Sequence, residues 1–218
     1  MKRILAFALA MALCLPLWAC GEEVAAETTV PPVTNGAEKL KDPATLESMA
    51  GTYQPRLWFL EHTLTLNPNG AYTFGSETGS WDTDGITVSL DSPTVPTLLA
   101  GNQCIYTFNT WCFDADTDTG ITFTPDHNGM TDQSFEARTP GGKIPGCDYD
   151  WICLDLNADG TFALQLGNKT DGTPQVQETF TGTYTAPKNT LLLTYNGQDY
   201  PLIVSNANYI YFFIYDKV

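Results

Sequence analysis

The sequence predicts an all-β protein: an antiparallel meander barrel, or a two-sheet sandwich, built from two internal repeats. First, short runs such as residues 86–90 alternate apolar and polar side chains, as half-buried strands do. Second, turn dipeptides such as Asn69-Gly70 and Asp159-Gly160 separate these runs. Third, no long segment has apolar residues at the 3.6-residue period of a helix. Antiparallel hairpins therefore dominate the predicted fold.

One short helix is predicted before the first strand. Asp42 has the residue type of a helix N-cap, and Pro43 suits the first helical position. The segment ATLESMA follows and ends at Gly51, which favours a helix stop. The strand pattern begins immediately afterwards.

The chain repeats itself. The segment LTLNPNGAYTF at 64–74 matches LDLNADGTFAL at 154–164, and a glycine-hydroxyl-aromatic triplet follows each copy. The predicted copies span about 51–125 and 143–218, with five or six strands each. One such meander leaves exposed strand edges and a half-covered apolar face. We therefore expect both copies to close together as one composite β-barrel domain over residues 42–218, in preference to two separate small domains.

The N-terminal segment has the composition of an export signal. Lys2 and Arg3 precede an apolar run over residues 4–17, which is shorter than the roughly 20 residues of a membrane-spanning helix. The segment LWACG that follows resembles a bacterial lipobox. That resemblance implies that residues 1–19 are removed, that Cys20 is acylated and that the chain is anchored to the outer membrane, on its periplasmic or its surface face. Residues 20–41 are then a flexible tether.

The mature chain is strongly acidic. Residues 20–218 contain eight basic and 25 acidic residues, a formal net charge of −17. Such a surface repels nucleic acid, so we expect no nucleic-acid partner. The aromatic content and the low charged fraction instead favour a folded domain with a substantial core.

Four cysteines remain after the signal and the lipid site are set aside: Cys104, Cys112, Cys147 and Cys153. An even number in an exported chain indicates disulfides. Four cysteines allow three connectivities, and the short spacings favour Cys104–Cys112 and Cys147–Cys153.

Two acidic motifs resemble calcium loops. DLNADG at 155–160 lacks the acid that a complete loop needs at position twelve, where Leu166 stands. The matching TLNPNG keeps the turn residues without the carboxylates, which favours a hairpin turn. DADTDTG places Asp114, Asp116 and Asp118 at alternate positions, so it is either a Ca²⁺ site or an exposed polar loop. No other cofactor is expected.

Aromatic residues are the remaining candidates for a binding site. The segment NYIYFFIYD is apolar on both strand faces, so it is either a buried central strand or the lining of a cavity for an apolar ligand. The candidate cavity residues are Tyr209, Tyr211, Phe213, Tyr215, Trp58 and Trp81.

The second copy resembles a known family. GKIPGCDYDWICLDLNADGTF is similar to the opening of the NlpE-type copper-resistance and surface-sensing lipoproteins, which have lipocalin-like domains. The family's two cysteines are separated by two residues, whereas five separate Cys147 from Cys153. The resemblance implies a lipocalin-like β-barrel in an envelope lipoprotein that binds or senses something.

The sequence contains no GxSxG, HExxH or P-loop motif, so an enzyme is not expected. The predicted function is non-enzymatic binding, or envelope sensing, of a small apolar ligand or a protein partner. One alternative is a solid-core structural or interaction lipoprotein of the envelope. A further alternative is a hydrolase whose Ser, His and acid meet only in space.

Overall fold

The computed structural model describes residues 43–95, 97–107, 110–114, 123–139, 142–205 and 209–218. The predicted helix is present as α1 (Pro43–Met49), and the Ala50 amide donates to the Leu46 carbonyl at 2.8 Å. The first strand begins directly afterwards, at Gly51. Within the described ranges, no helix has the length and apolar character needed to cross a membrane.

All other regular structure in the described part of the chain is β. The strands are β1 (Gly51–Pro55), β2 (Leu64–Leu66), β3 (Ala71–Phe74), β4 (Glu77–Thr83), β5 (Thr87–Leu90), β6 (Leu98–Ala100), β7 (Cys104–Thr107), β8 (Cys112–Asp114), β9 (Gln133–Arg138), β10 (Trp151–Leu156), β11 (Thr161–Thr170), β12 (Thr173–Thr185), β13 (Thr190–Tyr195), β14 (Gln198–Val204), β15 (Tyr209–Tyr211) and β16 (Ile214–Lys217). Every pairing between them is antiparallel. The predicted antiparallel all-β class is confirmed.

The strands form two closed barrels. Barrel 1 has the order β1-β16-β7-β6-β5-β4-β3-β2, and barrel 2 has the order β10-β11-β12-β13-β14-β15-β8-β9. Residues 39–218 are one compact unit, but the expectation of one composite barrel is wrong, because the unit contains two. The physical reason is strand number: each repeat supplies eight strands, and eight are enough to close a sheet around a packed interior.

The repeats exchange their last strands. Repeat 1 is β1–β8 and repeat 2 is β9–β16. Each repeat contributes seven strands to its own barrel and its eighth strand to the other barrel, so that β8 lies between β15 and β9, and β16 lies between β7 and β1. The predicted second copy, which began at about residue 143, therefore missed β9.

The repeated turn motif is a pair of equivalent hairpin turns. The Gly70 amide donates to the Asn67 carbonyl at 3.0 Å, and the Gly160 amide donates to the Asn157 carbonyl at 3.0 Å. Both glycines have positive φ, 82° and 81°, which favours a residue without a Cβ. The hairpin interpretation of DLNADG is confirmed.

Large side chains occupy both barrel interiors. Most strand residues alternate in burial, as in residues 152–156 of β10 and 161–166 of β11, where buried and half-buried side chains alternate. The largest fully buried side chains are Trp81, Tyr53, Tyr72, Tyr184, Tyr215, Phe113, Phe135, Phe162, Phe212, Phe213, Leu57 and Leu64. Ten of these twelve side chains are aromatic, and Leu, Ile and Val residues fill much of the rest of the core.

Candidate functional site

Trp81, a predicted cavity residue, lies in the core of barrel 1. It is 1% exposed, and its Nε1 donates to the Asn67 carbonyl at 2.8 Å. Tyr184 has the equivalent place in barrel 2, where its hydroxyl donates to the Asn157 carbonyl at 3.0 Å. Each aromatic thus fastens the hairpin turn of its own barrel, which is a structural role.

The predicted cavity strand is divided between the two barrels. Tyr209 and Tyr211 lie in β15 of barrel 2, whereas Tyr215 lies in β16 of barrel 1. Phe213 stands where the chain crosses between them, and its ring centroid is 4.9 Å from that of Tyr215. Phe213 and Tyr215 are both 1% exposed. These rings pack as core, as the buried-strand alternative expects.

Trp58 lies in the connection from β1 to β2, residues 56–63, which we call loop A. Its ring stacks on Tyr195 with centroids 4.4 Å apart and planes 24° apart, and it also contacts Phe180 and Tyr200. The pairing of β12 with β13 covers only residues 183–185 of β12. Trp58 therefore fills the gap where these two strands of barrel 2 diverge.

The position of Trp58 in this gap leaves the N–H group of its indole without a hydrogen bond in the described part of the chain. Its Nε1 is buried and has no hydrogen-bond partner among the residues that the structure describes. An unpaired buried donor costs roughly 1–3 kcal/mol. Apolar contact with the three rings must outweigh that cost.

The equivalent connection in repeat 2, residues 142–150 before β10, is loop B. It contacts loop A, because the Glu61 amide donates to the Gly146 carbonyl at 2.9 Å. Between loop B and barrel 1 lies a cleft of about 220 Å³, which we call the inter-barrel cleft. It is lined by His62, Phe74, Ser76, Glu77, Thr94 and residues 143–147.

The acid in the inter-barrel cleft already has its partners. Tyr72 donates to Glu77 at 2.5 Å, and Thr94 donates to the second carboxylate oxygen at 2.6 Å. Burial alone would raise the pKa of Glu77, but hydrogen bonds from Ser92, Thr94 and Tyr72 hold that pKa below its ordinary value. Glu77 is therefore a fixed anion that organises the cleft wall, and it is unsuited to donate a proton at neutral pH.

The remaining polar groups of the cleft do not form a nucleophilic pair. Burial raises the pKa of the Cys147 thiol, which stays protonated at neutral pH. The His62 ring packs edge-on against Phe74, with centroids 5.2 Å apart. Lys143 lies 3.3 Å from Asp148 at the surface. The cleft is thus suited to weak polar contacts and not to covalent catalysis.

The predicted disulfides are absent, since all four cysteines of the described ranges are free. Cys104 lies in β7 of barrel 1, opposite Asp216, and Cys112 lies in β8 of barrel 2, opposite Tyr211. The two are close in sequence, but they lie on strands that belong to different barrels. The Cys104–Cys112 pairing is therefore wrong.

The second predicted pairing, Cys147–Cys153, is also wrong. Cys147 lies in loop B and packs partly buried against the core. Cys153 lies in β10, where its thiol is 3.4 Å from the Ser134 hydroxyl on the neighbouring strand. The strand geometry of β10 fixes the direction of the Cys153 side chain, and loop B does not bring Cys147 to it.

The candidate calcium residues are not gathered into a site in the described part. Asp114 forms an ion pair with Arg138, and Asp116 and Asp118 lie outside the described residues. Asp155 accepts a hydrogen bond from Gln165 at 3.0 Å. Within the described ranges, no three His, Cys, Asp or Glu side chains are placed to hold a metal.

Sequence reasoning missed one pair of functional contacts, the ion pairs between the repeats. Arg56 of repeat 1 binds Asp216 of repeat 2, and Arg138 of repeat 2 binds Asp114 of repeat 1. The signal was present as TYQPR at 52–56 and SFEAR at 134–138, which share an aromatic and an arginine three residues apart. Neither segment contains a turn motif, and the repeat was recognised from its turn motifs, so this equivalence was missed.

No protein-family model, no curated protein and no solved structure matches this chain. The resemblance to NlpE-type lipoproteins therefore stays a prediction. The signal, Cys20 and the tether also stay predictions, because residues 1–42 lie outside the described ranges.

Proposed function

We propose that this chain is a non-enzymatic lipoprotein of the bacterial cell envelope that binds a protein partner through the outer surface of a solid double barrel. The observation that carries the proposal is the long hairpin of barrel 2. The β11–β12 hairpin spans residues 161–185, but β12 pairs with β13 only over residues 183–185. The described residues provide no strand partner for the outer edge of 173–182.

An unpaired strand edge is a surface on which another chain can add a strand. This edge has a few of the devices that prevent such addition: one proline, Pro174, one exposed charge, Glu178, and one irregularity in register near Gly167. Val176, on the same strand, is a large apolar residue that is 50% exposed. An extended segment of a protein partner matches these features.

The core arrangement disfavours a small apolar ligand as the primary cargo. The rings that would line a cavity pack against one another, and Trp58 fills the gap in barrel 2. The inter-barrel cleft, at about 220 Å³, is smaller than the roughly 300–1,000 Å³ of typical ligand pockets. A second surface cleft of about 390 Å³, between residues 125–129 and 185–188, is within that range, but no Phe, Tyr or Trp side chain among the described residues lines it. The solid-core interaction lipoprotein is therefore the better-supported alternative.

The lipobox resemblance supports the envelope part of the proposal. Acylated Cys20 would hold the chain at the outer membrane, and the tether of residues 20–41 would let the double barrel reach partners away from the lipid surface. Intact-mass analysis of protein extracted from an envelope in mild detergent tests this part. An N-terminus at Cys20 with acyl chains is expected, and a Cys20→Ala variant should keep its signal. A mature, unacylated N-terminus would contradict the anchor.

The binding part is tested by cross-linking in intact envelopes, with Val176→Lys as the test variant. A lysine at this edge should reduce strand addition, so the specific cross-linked product of the wild type should fall several-fold. Ile86→Lys is the matched control, because Ile86 is an exposed residue of barrel 1, at 68%. Equal cross-linking in both variants would contradict the edge as the binding surface.

Native mass spectrometry of the same extract tests the ligand alternative. The proposal expects the mass of the acylated chain alone or with a protein partner. A stoichiometric small apolar molecule retained by the wild type would favour the carrier function instead.

A further inference from the structure

The contacts between the two repeats are reciprocal. In barrel 1, Tyr106 of repeat 1 lies opposite Ile214 of repeat 2. In barrel 2, Tyr211 of repeat 2 lies opposite Cys112 of repeat 1. Each exchanged strand thus has the same place and the same register in the barrel that receives it. The strand that repeat 1 contributes to barrel 2 is therefore equivalent to the strand that repeat 2 contributes to barrel 1.

The two ion pairs follow the same reciprocity. Arg56 Nε and Nη2 donate to Asp216 at 2.9 and 2.5 Å, and Arg138 binds Asp114 in the other barrel. In each case the arginine stands at the end of the first strand of one repeat. It binds the aspartate of the strand that its barrel receives from the other repeat. The charges therefore identify the correct partner strand for each barrel.

The apolar part of the same surface is buried around Phe212 and half-buried around Trp58. Phe212 of repeat 2 is 0% exposed and packs against Phe59 and Phe113 of repeat 1, with ring centroids 6.4 and 5.0 Å away. Trp58 of repeat 1 stacks on Tyr195 of repeat 2. Neither repeat can hide these rings alone, so each needs a complementary repeat.

Only residues 115–132 of the chain connect the end of repeat 1 to the start of repeat 2. In the described residues, the repeats otherwise meet through strand pairing, hydrogen bonds, ion pairs and packing, which do not depend on which copy of the chain supplies the repeat. We propose that the repeats are complementary halves that also pair between molecules, so that the partner fitting this surface is a second copy of this chain.

In that dimer, repeat 1 of each copy pairs with repeat 2 of the other, and every barrel keeps the strand order of the monomer. Such exchange is a low-cost route to a dimer, since it creates the contacts that the monomer already has. Within one chain, a linker of this length gives an effective concentration of the order of millimolar. The monomer therefore dominates in dilute solution, and the dimer forms where copies fold close together.

Two full-length charge variants test the proposal. The first carries Arg56→Glu and Asp114→Lys, so its repeat 1 repels its own repeat 2 at both ion pairs. The second carries Arg138→Glu and Asp216→Lys, with the same effect from repeat 2. In a heterodimer of the two variants, all four ion pairs have opposite charges. Refolding an equimolar mixture at high protein concentration, followed by native mass spectrometry, should give heterodimer in several-fold excess over either homodimer.

A chain with all four substitutions is the matched control, because its ion pairs are restored within one molecule. It should refold as the wild type does. If this control refolds while the mixture yields only monomers at every concentration, the proposal is overturned.

Wild-type chain, unlabelled and ¹⁵N-labelled, provides a second measurement in case the variants aggregate. Refolding the two together at high concentration should give mixed dimers in the statistical ratio. Absence of any species at twice the monomer mass would overturn the proposal equally.

Discussion

The two barrels share a strand order but differ in how the connecting loops meet them. In barrel 2, Trp58 of loop A fills the gap between two diverging strands. In barrel 1, loop B leaves the inter-barrel cleft of about 220 Å³. The hairpins beside these places differ as well: β3 and β4 span residues 71–83, whereas β11 and β12 span 161–185. Duplication thus preserved the sheet pattern, and the loops and hairpin lengths made the two barrels different surfaces.

The two barrels also differ at one pair of equivalent core positions. Trp81 and Tyr184 fasten equivalent turns, the first through an indole N–H and the second through a hydroxyl. The Tyr184 hydroxyl also accepts the Thr131 amide at 2.7 Å. Both rings are therefore buried, but the Trp81 indole fills more volume and the Tyr184 hydroxyl makes more hydrogen bonds at the same position.

The largest expected effect on stability comes from replacing Trp81, and it is compared with replacing Tyr184 at the equivalent position. Trp81→Ala removes a fully buried side chain and should lower the free energy of unfolding by about 3–5 kcal/mol. Tyr184→Phe keeps the ring and removes the hydroxyl, for an expected loss of about 1–3 kcal/mol. Urea denaturation followed by circular dichroism measures both. Equal losses would contradict the assignment of different roles.

The next effect compares two residues of loop A, one that packs on barrel 2 and one that lines the inter-barrel cleft. Trp58→Ala should lower the free energy of unfolding by about 2–3 kcal/mol, because its half-buried ring packs against three aromatics. His62→Ala, at the inter-barrel cleft, should cost less than about 1 kcal/mol. Trp58→Phe is the control, since it keeps a ring and removes the unpaired N–H. A larger loss of unfolding free energy for His62→Ala than for Trp58→Ala would contradict this prediction.

A smaller difference is expected between the ion pairs. Arg56 has a side chain that is 16% exposed and also donates to the Pro201 carbonyl at 2.7 Å, whereas the Arg138 side chain is 45% exposed. Arg56→Met should therefore cost about 1.5–3 kcal/mol and Arg138→Met about 0.5–1 kcal/mol. Thermal denaturation at low and high salt measures both, and salt should weaken the Arg138 pair more.

Thiol reactivity should distinguish buried from accessible cysteines with little effect on stability. Burial raises the pKa of Cys112 to about 12, and Cys104 is also buried. Cys147 and Cys153 are partly exposed, so a maleimide should modify them several-fold faster in the native protein. Unfolding without reductant should make all four reactive. Fewer than four reactive thiols would indicate a disulfide in solution.

The smallest effect is a pH dependence of two turn aspartates. Hydrogen bonds from the Thr87 amide, the Ile86 amide and the Thr87 hydroxyl lower the pKa of Asp84 in barrel 1 to about 2. Bonds from the Thr161 hydroxyl and amide lower the pKa of Asp159 in barrel 2. Because the folded pKa is below the unfolded value, this stabilisation is complete above about pH 4 and is lost as the pH falls toward 2.

Carboxyl NMR titration of the folded protein measures both midpoints. Asp84→Asn should remove the acid-dependent part of the stability that comes from Asp84 and leave the Asp159 titration unchanged. An Asp84 midpoint at its ordinary value of 3.8 would contradict the hydrogen-bonding arrangement.

Local features of the sequence were sufficient for the fold class, for α1 and for the hairpin turn at 155–160. A turn such as Asn157–Gly160 is specified by neighbouring residues, since glycine adopts the positive φ that the turn needs. The cysteine pairings failed for the opposite reason. Closeness along the chain suggested a bond between Cys104 and Cys112, but the strands that carry them pair in different barrels.

By itself the sequence determined that the protein is built from antiparallel hairpins in two copies, because alternation and turn residues act over a few positions. Only the tertiary structure decided that there are two barrels, that each receives its eighth strand from the other repeat, and that the aromatics of 209–215 pack as core. These features depend on which distant strands pair and on which rings a closed sheet encloses. Such pairing is selected by the free energy of the whole assembly, and no short segment specifies it.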